Sequence, residues 1–183
     1  MIKINLYGGP GIGKSTVCAS VFVELKKLGI NCEVVREYAK ELCYEGYDMT
    51  KLSDDSKRLG ILSEQIKREK LLEGNVDYLV TDSPLLLTAF YHNYPYETPQ
   101  FITDVALRHL GVHCYHFFLE RHRAGYQQAG RSHSFEQSLS VDKDMYNYVS
   151  SLIDQERICK IEGSIEDKTA KILFEIFKGQ NQQ

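Results

Sequence analysis

The sequence predicts a three-layer α/β/α domain, a parallel sheet of five strands covered by helices on both faces. Two observations lead there. Short strand-like segments alternate with stretches of helical periodicity along the whole chain, the pattern of parallel strands joined by crossover helices. And 183 residues, with no internal repeat, low-complexity tract or linker, make one compact unit, since chains of this size bury roughly 70% of their unfolded surface around one core. Residues 1–183 are therefore read as a single domain.

Ile2 to Tyr7 alternates in the manner of a strand and is the first. Ser15 to Leu28 reads as a helix because Val17, Val21, Leu25 and Leu28 recur at helical spacing, and Gly29 closes it. Cys32 to Val35 is a short second strand, followed by a helical turn over Glu37 to Tyr44 and a polar stretch from Glu45 to Lys51. Ser53 has the character of an N-cap. Asp54 to Glu73 places Leu59, Leu62, Ile66 and Leu72 on roughly one helical face, with Lys57, Arg58, Lys67, Arg68 and Lys70 largely elsewhere. Glu64 and Glu69 offset part of that charge, so a solvated face is preferred to a nucleic-acid surface.

Val76 to Thr81 is the third strand, and helices cover Pro84 to Tyr91 and Pro99 to Leu110. Tyr115 to Leu119 is a fourth strand whose near-continuous apolarity suits burial on both faces. A polar, glycine-containing loop runs from Glu120 to about Ser134. Phe135 to Ile153 is helical, Arg157 to Ile161 is the fifth strand, and Ser164 to Lys178 is a last amphipathic helix with Asp167 three residues after its cap. The tail Gly179 to Gln183 is expected to fray.

Composition narrows the function classes. No apolar run approaches the ~20 residues of a membrane span, and Met1 leads straight into the first strand without a signal-peptide pattern. The expectation is a cytoplasmic protein. A net charge of −3 gives no general attraction to a polyanion. Cys18, Cys32, Cys43, Cys114 and Cys159 are scattered and odd in number, so they are read as reduced, mostly buried thiols. His113, His116, His122 and His133 have no metal-ligand spacing.

The chemistry concentrates in Gly8-Gly9-Pro10-Gly11-Ile12-Gly13-Lys14-Ser15, a match to the Walker A pattern G-x-x-x-x-G-K-[ST] placed directly after a strand and at the opening of a helix. The glycines let backbone N–H groups converge on phosphate oxygens, and the helix dipole adds positive potential at the same point. Lys14 is expected to reach the β- and γ-phosphates of a nucleoside triphosphate, ATP or GTP, and the Ser15 hydroxyl to ligate Mg²⁺. Thr16 extends the same helix start.

Two acids follow strand ends, where ligands of open α/β sheets bind. Asp82, in Val80-Thr81-Asp82-Ser83-Pro84, suits the water shell of Mg²⁺. The alternative is an N-cap for the next helix, a duty Ser83 can take. Glu37, after the second strand, suits the acceptor hydroxyl, as proton acceptor or orienter, or else favours the dipole of its helix. The segment from Glu120 to Arg131 carries Arg121, Arg123 and Arg131 between glycines, as a lid closing on a triphosphate would. An exposed hairpin with solvated arginines is the other reading. Tyr91, Tyr94 and Tyr96 are suited equally to stacking on an acceptor base and to packing.

In this order the elements G-G-P-G-x-G-K-S, V-x-E-Y-A-K, T-D-S-P-L-L-L and an Arg-rich segment ending G-R resemble small phage-encoded P-loop kinases related to the thymidylate kinase and nicotinamide-riboside kinase families. The resemblance spans Ile2 to about Ile153. It implies strand order 2-3-1-4-5 and nucleotide-binding or transfer roles for Lys14, Ser15, Glu37, Asp82 and Arg131. The group includes 5-hydroxymethyluridine DNA kinases, so the implied acceptor is 5-hydroxymethyl-deoxyuridine in phage DNA, in the host cytoplasm. A free nucleoside, nucleotide or nicotinamide riboside is the alternative acceptor, and a nucleotide-dependent ATPase or switch the alternative class. The chain departs from thymidylate kinases at Ser83, where their third-strand motif usually carries arginine, which counts against a monophosphate acceptor.

Overall fold

The computed structural model describes residues 1–48, 55–121 and 135–180. Its elements run β1 (Ile2–Tyr7), α1 (Lys14–Lys27), β2 (Cys32–Val35), α2 (Tyr38–Tyr44), α3 (Asp55–Lys70), β3 (Tyr78–Thr81), α4 (Leu85–Asn93), α5 (Gln100–Arg108), β4 (Cys114–Leu119), α6 (Phe135–Leu152), β5 (Ile158–Ile161) and α7 (Ile165–Gln180). The sheet has the order β2-β3-β1-β4-β5, with every neighbouring pair parallel. This is the expected three-layer α/β/α arrangement, in the expected strand order.

Central placement explains the composition of β1. Ile4 and Leu6 face α1 and α7, packing with Val21, Leu25, Ile172 and Ile176. Tyr7 faces the other layer, where Leu62 of α3, Leu86 of α4, Ile102 of α5 and Met145 of α6 meet. The alternation in β1 therefore does not divide core from solvent, because Lys3 and Asn5 are buried too. Lys3 Nζ donates to Glu69 Oε2 at 2.7 Å and to the His109 carbonyl at 2.8 Å. Tyr7 Oη lies 3.1 Å from Nδ1 of His116 on β4. A lysine enters a sheet interior only when its charge finds such partners.

Helix α3 corrects the sequence reading. Its buried stripe is Ile61, Leu62, Gln65 and Glu69, while Leu59 is exposed. The polar members bury because they have work there: Glu69 meets Lys3, and Gln65 accepts the Tyr38 amide hydrogen at 3.3 Å. Two basic residues assigned to a solvated face are likewise engaged. Arg58 donates to the His92 carbonyl at 2.7 Å, and Arg68 forms a two-pronged pair with Glu41 at 2.7 and 2.6 Å beneath the Tyr38 ring. Arg68 thereby ties α2 to α3.

Ends differ by one to three residues where they differ, the most at α3, which stops at Lys70 and not Glu73. β3 starts at Tyr78, because Val76 still bonds back to Leu72 and Asp77 bonds to Asn31. α7 continues to Gln180, past the expected fraying point, and the end of the tail lies outside the described residues, as does the Ser53 cap. Ser164 and Asp167 exchange two hydrogen bonds, 3.0 and 3.1 Å, in a reciprocal cap for α7. All five cysteines are free, but only Cys18 and Cys32 are buried; Cys43 is exposed, on a helix that buries none of its residues. No described helix is long and apolar enough to cross a membrane.

Candidate active site

The carboxyl ends of β1, β2, β3 and β4 lie along one edge, and the candidate residues gather there. Between β1 and α1 the chain turns through Gly8 to Gly13, with Gly13 at φ 94° as the residue that admits the helix. A side chain would be strained at that angle. Buried Ile12 anchors the loop in the core, Ser15 and Thr16 are exposed, and Lys14 Nζ rests on the Gly8 and Gly9 carbonyls at 2.7 and 3.2 Å.

Asp82 follows Thr81, whose register partner is Asn5, so β3 delivers the carboxylate beside the loop. Ser15 Oγ donates to Asp82 Oδ2 at 2.5 Å. Asp82 is 5% exposed and its Oδ1 is buried without a hydrogen-bond partner among the described residues. It does not cap α4, whose cap position is Pro84; Ser83 does not cap it either, and its hydroxyl faces Thr88 at 3.3 Å. A hydroxyl, a carboxylate and one unsatisfied oxygen fit Mg²⁺, which keeps waters and takes one or two protein oxygens alongside phosphates. No larger acid, His or Cys cluster suited to a metal occurs among the described residues.

Glu37 stands at the cap position of α2 without a capping hydrogen bond. Burial pushes its carboxyl above the usual carboxylate range, Lys14 opposes the shift and Asp82 reinforces it. Burial pulls the Lys14 ammonium down, against Glu37 and Asp82. The lysine and the two acids thus sense one another's charge.

The sequence reading missed a residue that holds the phosphate loop. Asp142 on α6 accepts the Gly9 amide hydrogen at 2.6 Å and pairs with Arg121, which donates to its two oxygens at 2.8 and 3.3 Å and to the Pro10 carbonyl at 3.0 Å. A Cβ on Gly9 would run into the Asp142 carboxylate, so this glycine serves the approach of a side chain. A signal did exist: Asp142 is one turn from Ser138 and Met145 on the buried stripe of α6, an unusual place for a carboxylate.

A pocket of about 710 Å³ opens beside the loop. It is lined by Lys14 and Glu37, by Ile61 and Gln65 of α3, by Leu87 and Tyr91 of α4, and by Tyr94, whose ring centroid is 6.2 Å from that of Tyr91. Tyr96 is 76% exposed and not part of it.

Comparison with known proteins places the chain. The model of a family described as AAA domain matches residues 3–167. The chain belongs to the AAA domain family. Solved structures similar to this AAA domain include a gluconokinase from Sinorhizobium meliloti 1021, 15% identical, with a TM-score of 0.55 over 97% of this chain and 92% of the other. The protein APE1195 is 19% identical, with a TM-score of 0.53 over 97% and 95%. At such identities the likeness is one of fold. No curated protein matches the sequence significantly.

In this AAA domain, Lys14, Ser15, Glu37, Asp82 and Arg121 come together at the strand ends. Arg121 is 4% exposed at its side chain and fastened to Asp142. Arg123 and Arg131 lie outside the described residues, as do His122 and His133.

Proposed function

We propose that this chain transfers the γ-phosphoryl group of Mg·ATP to a hydroxyl of a nucleoside-type acceptor seated in the pocket. One observation carries the reading: the phosphate-loop lysine and a half-buried carboxylate line the same cavity, so a phosphate donor and a hydroxyl acceptor meet there. A switch that only binds and hydrolyses nucleotide needs no such chamber.

Each residue then has a task. The loop amides and Lys14 hold the triphosphate, the lysine exchanging the Gly8 and Gly9 carbonyls for phosphate oxygens. Ser15 and Asp82 would hold Mg²⁺, whose charge would neutralise the phosphates. Glu37 orients the acceptor hydroxyl and takes its proton as the oxygen bonds to the γ-phosphorus and the bond to the β-phosphate bridge breaks, leaving ADP. Its raised affinity for a proton suits that duty. Arg121, against the Pro10 carbonyl, supports the developing charge, with Arg123 and Arg131 assigned to the lid.

The acceptor we favour is 5-hydroxymethyl-deoxyuridine, free or extruded from a phage DNA strand, as the resemblance to DNA-modifying kinases suggests. The aromatic wall of Tyr91 and Tyr94 supports a flat acceptor. The test is transfer of label from γ-labelled ATP, offering in parallel hydroxymethyluracil-containing DNA, ordinary DNA, free nucleosides and nucleotides, nicotinamide riboside and gluconate. Label on the modified pyrimidine is expected. Label on gluconate alone would replace the acceptor class, and free phosphate with no labelled acceptor would overturn the kinase reading.

A further inference from the structure

Gln65 is 1% exposed and lines the pocket. Its Oε1 accepts the Tyr38 amide hydrogen at 3.3 Å. A backbone N–H can only donate, so this bond fixes the orientation of the side-chain amide and leaves Nε2 as the free end. Nε2 has no hydrogen-bond partner among the described residues, and the same holds for the hydroxyl of Tyr91, which also lines the pocket. Buried polar groups are almost always paired, and two unpaired ones bordering a single cavity call for a partner that enters it.

The walls say what shape that partner has. Ile61, Leu87, Tyr91 and Tyr94 are apolar or aromatic surfaces, suited to a ring face and ill suited to a polyol, which needs a polar partner for every hydroxyl. Nε2 can only donate, so the ligand atom that meets it is an acceptor.

We infer that Gln65 is the specificity-determining residue of the pocket, and that it selects a flat heterocycle bearing a carbonyl oxygen over the same ring bearing an amino group. This rests on the pocket being the acceptor site. The side chain is held from behind by the residue next to Glu37, so reading the ring and presenting the hydroxyl to the carboxylate are coupled through one hydrogen bond. The Tyr91 hydroxyl, able to donate or accept, is left for a second polar edge of the ring.

The test is calorimetric binding of 5-hydroxymethyl-2′-deoxyuridine, 5-hydroxymethyl-2′-deoxycytidine and gluconate, with phosphoryl transfer followed on the same samples. The wild type should prefer the oxo nucleoside over the amino nucleoside by about ten- to hundredfold, the range for one buried hydrogen bond made or left unmade. Gln65→Glu at about pH 8 keeps an oxygen for the Tyr38 amide and removes the donor; it should abolish or invert that preference. Should this variant not fold, Gln65→Met, of equal length and uncharged, should erase the preference by weakening the oxo nucleoside alone. Equal weakening of both nucleosides, no change, or tighter binding of gluconate overturns the inference. Labelled product with unchanged selectivity sinks the role of Gln65 and leaves the kinase standing. Selective binding that responds to Gln65→Glu without any transfer supports the recognition site and sinks the kinase.

Discussion

The carboxylate of Asp142 closes on the backbone amide of Gly9 at 2.6 Å, joining residues 133 positions apart. Because a Cβ on Gly9 would occupy the space of that carboxylate, Gly9→Ala should destabilise the protein by about 1–3 kcal/mol, the usual cost of overpacking. The cost should shrink in an Asp142→Ala background, although Asp142→Ala itself should cost about 3–5 kcal/mol by leaving Arg121 without its carboxylate. Urea unfolding of the four proteins in the cycle checks this, and additive costs would mean that the two residues do not meet.

Lys14→Ala should leave the fold intact, because the ammonium rests on two loop carbonyls and is not a member of the core. Turnover should fall by about 10²–10³-fold or more, as when a transition-state charge partner is removed. Unchanged turnover in labelled-transfer kinetics would end the phosphotransferase reading.

Glu37 predicts the pH profile. Its carboxyl is held above the usual range, by burial first and by Asp82 in addition, against Lys14. A base must be deprotonated, so kcat/KM should rise with pH through that elevated value, and the acid limb should lie above the usual carboxylate range. Glu37→Gln should remove the limb and slow transfer by about 10²-fold, the low end for general bases, since loose phosphoryl transfer asks little of one.

How far the site was legible follows from what holds each residue. Glu37 and Asp82 sit within a residue or two of strand ends, Lys14 and Ser15 open the helix that the phosphate loop joins to β1, and a parallel sheet brings such positions together whatever the side chains do. Strands β1 and β2 matched their sequence bounds because their neighbours punctuate them: the Gly8-Gly9 turn follows one and Gly29 precedes the other. Asp142, Gln65 and Glu69 were missed because helical amphipathicity assigns polar residues to water. Only the partners Gly9, Tyr38 and Lys3, far away in sequence, explain their burial. Arg58 and Arg68 were misplaced for the same reason.

His116 carries a prediction about stability. Buried at 1% exposure beside Tyr7, it has its imidazole pKa lowered to about 4, by burial first and then by Arg157. The unfolded chain protonates at about 6.5, so between these values the unfolded state binds the extra proton and stability falls as pH falls. The loss should reach on the order of 3 kcal/mol by about pH 4. His116→Gln should flatten this part of a urea-derived stability profile, and an unchanged slope would assign the acid sensitivity to other groups.

The strand order has a consequence for how such a molecule can change. On one side of β1, β3 and β2 deliver Asp82 and Glu37, and with α2, α3 and α4 they bound the pocket. On the other, β4 delivers Arg121 into the grip of α6. The α3 and α4 walls of the pocket and the Asp142–Arg121 clamp on the loop thus flank the strand that carries the phosphate loop, and Val141 of α6 joins the two. Exchanges in α3 and α4 can reshape the pocket while leaving that clamp untouched, a physical route by which one scaffold comes to admit different ligands.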